Sequence, residues 1–333
     1  MIEPLNGNFQ TRTGKLNPND IRNVFRNTIF NFNEEFVSDG VIGNFRQGDK
    51  AGDCYLLSAL YSLSKTSNGA AIIKNNIKKE KDGSYTVMLP GAIIIKNDYA
   101  KNRKKCSITG VYKITSAEIK KARGSKKYSS GDIDVLLYEL AFAKYRREVI
   151  LTNNMNQQSS QYGIAGQYTG NATFFDPLKG GVGHDAMFVI SGKQSSDYEV
   201  SANTVSSINS SSIKTIQSRK KKIDRRGVQR LLDKKAKNPG RYSITFGLKL
   251  DNGTGKDGYH ALSVTRIENG RVYFVNPWDT KKEFSMTIDG FMKSAYQISF
   301  VDMETPSLTE SVVEGAYNTY SNIISAIDNI IKK

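Results

Sequence analysis

The segment QGDKAGDCYLL, at residues 47–57, places one of the chain's two cysteines between a Gly-Asp pair and an apolar run. Leucines follow at positions 56, 57, 60 and 63, a spacing that predicts a helix with one buried face. Cys54 is then expected in the first turn of this helix. The chain therefore has to turn at Gly52 and Asp53 and enter a packed helix at Cys54.

The position of Cys54 is typical of a reactive thiol. A thiol attacks a carbonyl carbon as the thiolate, and a free cysteine holds little of that form at neutral pH. A helix N-terminus favours the thiolate through its dipole and its backbone N–H groups. Asp53 is the expected N-cap, but its charge opposes a thiolate, so a cationic imidazole is also needed. The alternative is that Cys54 is a small apolar core residue, as we interpret Cys106.

Acyl transfer through a cysteine also needs an oxyanion site. A tetrahedral intermediate is stabilised by hydrogen-bond donors aimed at its negative oxygen. The backbone N–H of Cys54 is one candidate donor, and the side-chain amide of Gln47 is the other.

The candidate base is His260, which begins a predicted strand in DGYHALSV, while Asn276 ends the next strand in RVYFVNPW. We predict a three-residue loop between these strands, Glu268-Asn269-Gly270, which pairs Leu262 with Asn276 and puts His260 and Asn276 on one sheet face, one diagonal step apart. A two-residue turn would pair Ser263 with Asn276 and put the two side chains on opposite faces. The hairpin register therefore tests the predicted His260–Asn276 pair.

An amide oxygen bonded to the second ring nitrogen of a histidine fixes the tautomer and the orientation of the base. Trp278, the only tryptophan, follows Asn276 closely and is placed to shield that bond from water; the alternative is that it only fills the core. The other histidine, His184, follows a Gly-rich loop and is the alternative base. The sequence arranges no amide or indole beside it in the same way.

The pattern of elements predicts an α+β fold of two lobes with a cleft between them. We expect a lead-in at 1–35, a helical lobe at 36–160, a β-rich lobe at 161–305 and an amphipathic helix at 306–333. Within the β-rich lobe, the Ser-rich and finally basic segment 194–226 is predicted to be a mobile insertion. The terminal helix either docks on the domain, links to a missing domain, or binds a partner or a membrane surface.

The net charge of +16 comes from 48 basic and 32 acidic residues, with basic clusters at 101–105, 120–127 and 219–226. Such clusters favour acidic partners, but we interpret them mainly as solvated faces, so nucleic acid is not the expected ligand. The chain contains no apolar run of about 18 residues and no secretory signal. We therefore expect no membrane span and either a cytoplasmic protein or an effector delivered elsewhere.

Four motifs, QGDKAGDCYLLSAL, GDIDVLLYELAFAKY, GYHALSV and NPWD, occur in this order over about residues 40–303. Together they resemble the calpain-like branch of the papain-fold cysteine proteases. The resemblance implies a papain-like fold in which a helical lobe and an antiparallel β-sheet lobe flank the active-site cleft. It implies these roles: Cys54 as nucleophile, His260 as general base and acid, Asn276 as orienting amide, Gln47 as oxyanion donor, and Gly52, Asp53 and Trp278 as residues that line or shield the cleft.

The sequence departs from the family pattern at three points. One extra residue separates Gln47 from Cys54, Tyr55 replaces the usual tryptophan, and Asp279 replaces a frequent glycine. The animal enzymes bind calcium in each lobe, but no matching set of acidic ligands is found in this sequence, so calcium dependence is left open. The chemistry itself requires no cofactor.

The expected activity is hydrolysis of polypeptides by a cysteine endopeptidase, and the Asn, Lys and Ile bias is typical of an AT-rich bacterial genome. The alternatives are a transamidase or deamidase with the same Cys-His pair, or an inactive scaffold that binds peptide or nucleic acid.

Overall fold

The computed structural model describes residues 33–49, 52–98, 103–108, 110–152, 178, 180–200, 221–251 and 257–305. Most of the predicted lead-in, the centre of the predicted insertion and the predicted C-terminal helix lie outside these residues. The described chain has an α+β fold, as the sequence predicts.

The first half of the described chain is mainly helical. Its helices are α1 (Cys54–Ser64), α2 (Ser67–Asn75), α3 (Ser116–Arg123) and α4 (Ile133–Thr152). The helix α1 forms as predicted because Leu56, Leu57, Leu60 and Leu63 are all fully buried on the side that faces the core. The helix α4 covers most of the motif GDIDVLLYELAFAKY and continues for about two turns beyond it.

Short strands accompany these helices. They are β1 (Phe45–Arg46), β2 (Ile77–Lys79), β3 (Tyr85–Met88), β4 (Ile93–Asp98), β5 (Arg103–Ile108), β6 (Val111–Ile114) and β7 (Ser130–Gly131). Strands β2, β3 and β6 make a three-stranded antiparallel sheet, while β4 pairs with β5 and β1 with β7. The structure places Cys106 on β5.

The second half is built on one large sheet. Its strands are β8 (Ser195–Val200), β9 (Lys221–Ile223), β10 (Tyr242–Asp251), β11 (Asp257–Glu268), β12 (Arg271–Asn276), β13 (Asp279–Thr287) and β14 (Ala295–Asp302). The strand order is β13-β12-β11-β10-β14-β8-β9, and every pair is antiparallel except β8 with β9. The helices α5 (Gly183–Ser191), α6 (Arg225–Lys237) and α7 (Ile288–Ser294) complete this half.

The segment 194–226 differs from the predicted mobile insertion at both of its ends. Strand β8 pairs with β14 along the sheet, β9 pairs with β8, and α6 begins at Arg225. Backbone hydrogen bonds to the sheet order these ends, although the segment has few large apolar side chains. Amino-acid composition alone does not predict such pairing. Residues 201–220 lie outside the described structure.

Two hydrophobic clusters stabilise the fold. One surrounds α1 and α4 and includes Leu56, Leu60, Tyr138 and Ala141. The other lies between the large sheet and the helices α6 and α7, and it includes Leu232, Phe246, Phe274 and Phe291. In the described part of the chain, no helix has both the length and the hydropathy that crossing a bilayer would require.

Candidate active site

Cys54 is the first residue of α1, and it is half-buried with a free thiol. Backbone N–H groups of Ala261, Tyr55 and Cys54 itself interact with the sulfur and stabilise its charged form. Burial and, to a smaller extent, the charge of Asp53 outweigh these groups and together raise the pKa of the Cys54 thiol to about 11. The thiol is therefore neutral in the protein as it stands, unlike the thiolate that its helix position suggests.

The contact with Ala261 brings the sulfur to β11, one residue beyond His260. Serines one and two turns further along α1 maintain this approach. The Ser58 hydroxyl donates to the Ala261 carbonyl at 2.8 Å, and the Ser62 hydroxyl donates to the Ile244 carbonyl at 2.9 Å. Because residues 54, 58 and 62 share one helix face, the same face that carries the thiol is hydrogen-bonded to the sheet.

The hairpin that carries His260 and Asn276 has a register that the sequence predicted only in part. The turn is the two-residue form, with Asn269 and Gly270 both at positive φ, so the predicted three-residue loop is wrong. A bulge between Val264 and Arg266 then inserts one unpaired residue, and Ser263 lies opposite Val275. Continuing this register puts Leu262 opposite Asn276. The bulge thus restores the alignment that the predicted loop was expected to give.

His260 and Asn276 are joined as predicted. The distance from His260 Nε2 to Asn276 Oδ1 is 2.8 Å, and both side chains are buried. The backbone N–H of Trp278 donates to the same Oδ1 at 2.9 Å, which identifies this atom as the amide oxygen. Since an amide oxygen only accepts, Nε2 carries the proton and Nδ1 is the basic nitrogen.

Trp278 covers this pair. The centroids of the His260 and Trp278 rings are 4.2 Å apart, with 35° between the ring planes. Burial lowers the pKa of His260 to about 4, against a smaller opposite effect of the Asn276 hydrogen bond. The histidine and Cys54 are therefore both neutral in the protein, and a proton has to move as the sulfur attacks.

Gln47 and Asp53 form a buried pair beside the nucleophile. The Gln47 amide nitrogen donates to Asp53 Oδ1 at 2.8 Å, and the Gln47 backbone N–H donates to the carbonyl of Pro277 at 2.7 Å. Asp53 occupies the N-cap position of α1, but its side chain makes no capping bond there. Its carbonyl instead accepts the N–H groups of Leu56 and Leu57, which begins the helix.

Glu139 on α4 is a residue of this site that the sequence analysis missed. Its carboxyl group hydrogen-bonds to that of Asp53 and accepts from the backbone N–H of Ser129 at 3.0 Å. Glu139 is fully buried, and it lies on the inward face of α4 with Val135 and Leu136. An acidic residue in the apolar stripe of a helix was the signal that could have identified it.

The end of the Gly-rich region before His184 packs at the start of α1. The N–H of Gly180 donates to the Gly52 carbonyl at 2.8 Å, so Gly52 is held on this segment. Arg146 bridges the same region, because it donates to the Gly180 carbonyl at 2.7 Å and to the hydroxyl of Tyr55. Tyr55 is thus fixed by a buried arginine.

His184, the alternative base, has different neighbours. It is buried at the start of α5, with Nε2 3.1 Å from Asp185 and Nδ1 3.8 Å from Asp197. The structure pairs this histidine with carboxylates, whereas it is His260 that lies beside an amide and an indole.

One acidic cluster occurs among the described residues. Ligand oxygens of Glu35, Asp132 and Asp134 lie within 4.8 Å of one another. Backbone N–H groups already donate to two of these side chains: that of Gly40 to Asp134 at 2.8 Å, and that of Val135 to Asp132 at 3.2 Å. The first bond holds the loop before β1 against the start of α4, and the second is local to the start of that helix. The sequence analysis did not identify this cluster.

Comparison with known proteins gives no match for this chain. A scan against protein-family models matches none of them, and a search of curated proteins finds no relative.

Proposed function

We propose that this chain is a cysteine endopeptidase of the calpain-like, papain-fold type. The observation that carries the proposal is the bond from His260 Nε2 to Asn276 Oδ1, under Trp278, on the strand against which the thiol of Cys54 packs. Such an arrangement presents Nδ1 as a base and holds the ring in a single orientation. The helices around α1 and the large sheet are the two lobes of this fold.

The reaction begins with proton transfer from Cys54 to Nδ1 of His260 as the sulfur attacks the carbonyl carbon of a peptide bond. The Cys54 N–H and the Gln47 amide donate to the oxyanion that forms. His260 then protonates the departing amine, which leaves an acyl group on the sulfur. Water, deprotonated by His260, hydrolyses this thioester and regenerates Cys54. No step requires a cofactor.

The neutral resting state of the pair fits this sequence of steps. Burial disfavours both the thiolate and the imidazolium, but attack converts the sulfur into a neutral thioether and moves the charge to the substrate oxygen. The two donors at that oxygen then stabilise the charge where it develops. Polypeptides are the proposed substrates, and the basic faces of the chain favour acidic ones.

The first test is mass spectrometry after incubation with an irreversible epoxide inhibitor of papain-like proteases. We expect a single adduct on Cys54, and Cys106 provides an internal comparison because the proposal assigns it no catalytic role. The Cys54→Ala and His260→Ala variants should show no adduct. The rate of adduct formation on Cys54 should be the same with a chelator and with added calcium, since no step of the proposed reaction requires a cofactor.

Equal labelling of Cys54 and Cys106, or labelling that persists in His260→Ala, would contradict an activated thiol and favour the binding-module alternative. Incubation of the unlabelled wild-type protein with a peptide substrate and a primary amine then separates hydrolysis from transamidation. Endopeptidase activity predicts new peptide termini, whereas a transamidase would yield amine adducts on glutamine side chains.

A further inference from the structure

The buried acidic residues behind the nucleophile have a role that the catalytic triad does not cover. We propose that Asp53 and Glu139 share one proton and that this carboxyl pair positions the Gln47 amide beside Cys54. Glu139 is therefore a positioning residue, and the inference rests on the proposed cysteine-protease function.

The contacts form a chain of hydrogen bonds from α4 to the oxyanion donor. Glu139 accepts from Ser129 and hydrogen-bonds to Asp53, and Asp53 accepts from the Gln47 amide at 2.8 Å. Asp53 and Glu139 are fully buried, and Gln47 is 5% exposed. Because these groups are withdrawn from water, each bond depends on the charge state of its partner.

Two carboxylates in direct hydrogen-bond contact cannot both be ionised, since a hydrogen bond between them needs a proton. Burial and the charge of Asp53 both raise the pKa of Glu139 well above its ordinary value. Glu139 is then the protonated member and donates to the Asp53 carboxylate. The pair behaves as one coupled unit with a single negative charge.

This single charge faces several titratable groups. From α1, Cys54 and Tyr55 lie close enough to Asp53 that its charge raises the pKa of each. From α4, Arg146 opposes that effect at Tyr55. Loss of the shared proton would add a second negative charge beside Cys54, which disfavours a negatively charged transition state at the sulfur and the substrate oxygen.

The amide of Gln47 is planar, so one fixed N–H determines the direction of the other. The Asp53 carboxylate fixes the first N–H and thereby sets the direction of the second. Ordering this donor before the substrate arrives removes a cost from the transition state.

The test compares Glu139→Gln, Glu139→Ala and the exposed control Glu268→Gln. Glutamine keeps an acceptor for Ser129 and a donor for Asp53, so it imitates the protonated acid. Alanine should lower kcat/KM by roughly 30-fold or more, mainly through kcat, while glutamine should restore most of that loss. At alkaline pH, wild-type activity should fall relative to that of Glu139→Gln, because the glutamine amide cannot lose the corresponding proton.

Infrared spectroscopy measures the protonation of the Asp53–Glu139 pair independently of activity. We expect a protonated-carboxyl C=O band component at neutral pH in the wild type that is lost in Glu139→Gln and retained in both Glu268→Gln and Asp134→Asn; the last variant separates it from the signal of Asp134, whose pKa is also raised. Absence of this band in the wild type, or a glutamine variant as impaired as alanine with an unchanged band pattern, would overturn the shared proton. If Cys54 is not labelled even in the wild type, the proposed function fails, and the infrared result still decides whether the carboxyl pair exists.

Discussion

The hydroxyl of Ser58 donates to the carbonyl of Ala261 at 2.8 Å, and this bond ties the helix that begins with Cys54 to the strand that carries His260. A second bond runs from the strand to the helix: the hydroxyl of Ser263 donates to the backbone carbonyl of Ser58 at 2.7 Å. Two bonds between one helical turn and one strand fix both the distance and the rotation of the helix relative to the base.

The first prediction concerns this connection. Ser58→Ala should lower the free energy of unfolding by about 1 kcal/mol, because the Ala261 carbonyl loses its buried donor. It should also slow epoxide labelling of Cys54 by roughly tenfold, since small displacements of a nucleophile from its base are costly. Ser64→Ala is the matched control, because the Ser64 hydroxyl bonds only to Tyr61 of the same helix. Equal effects of the two substitutions on labelling would contradict an aligning role for Ser58.

The second prediction concerns the His260 tautomer. Asn276→Ala removes the acceptor for Nε2–H, so the ring should lose its preferred tautomer and labelling of Cys54 should slow at least about tenfold. Proton NMR of the wild type should show a downfield N–H signal from His260 that Asn276→Ala lacks. The same signal should persist in His184→Gln, which assigns it. A signal that survives Asn276→Ala would disprove the assignment of the Nε2 proton.

The third prediction concerns Trp278. Its ring contributes to the burial that lowers the pKa of His260 to about 4 from the ordinary 6.5, so Trp278→Ala should move that pKa back toward 6.5. NMR titration of the imidazole C–H signals measures the change. Because the unfolded chain binds the proton at higher pH than the folded one, this histidine makes stability fall as the pH drops from about 6.5 to about 4. Trp278→Ala should weaken that dependence, and an unchanged midpoint would contradict the shielding role.

The fourth prediction concerns Asp134, whose pKa burial raises to about 7, with further contributions from Asp132 and Glu35. The folded protein binds this proton more tightly than the unfolded chain, whose ordinary value is 3.8. The resulting stability is fully present below about pH 4 and is lost as the pH rises through about 7. Asp134→Asn should remove this dependence and stabilise the protein above neutral pH by on the order of 1–3 kcal/mol relative to wild type. The free energy of unfolding of both proteins is measured by urea titration at several pH values in this range. A difference between the two proteins that stays the same at every pH would contradict the prediction.

The sequence predicted well those features that depend on local pattern. The helix at Cys54 follows from leucines at helical spacing, and the strands that carry His260 and Asn276 follow from apolar segments bounded by turn residues. The pairing of His260 with Asn276 was also predicted, but through a loop that does not form. A turn of two residues together with a bulge gives the same alignment as a turn of three, and bulges leave too weak a sequence signal to be counted.

The sequence by itself thus determined the fold class and the identity of the residues in the candidate site. Only the tertiary structure decided how these residues are charged and which others support them. Glu139 reaches Asp53 from a helix more than 80 positions further along the chain, and Ser58 reaches Ala261 across some 200 positions. Protonation states follow from burial, and burial is a property of all the elements that pack around a group. The neutral state of Cys54 and His260 therefore arises from the assembled core, where desolvation exceeds the local effect of the helix N-terminus.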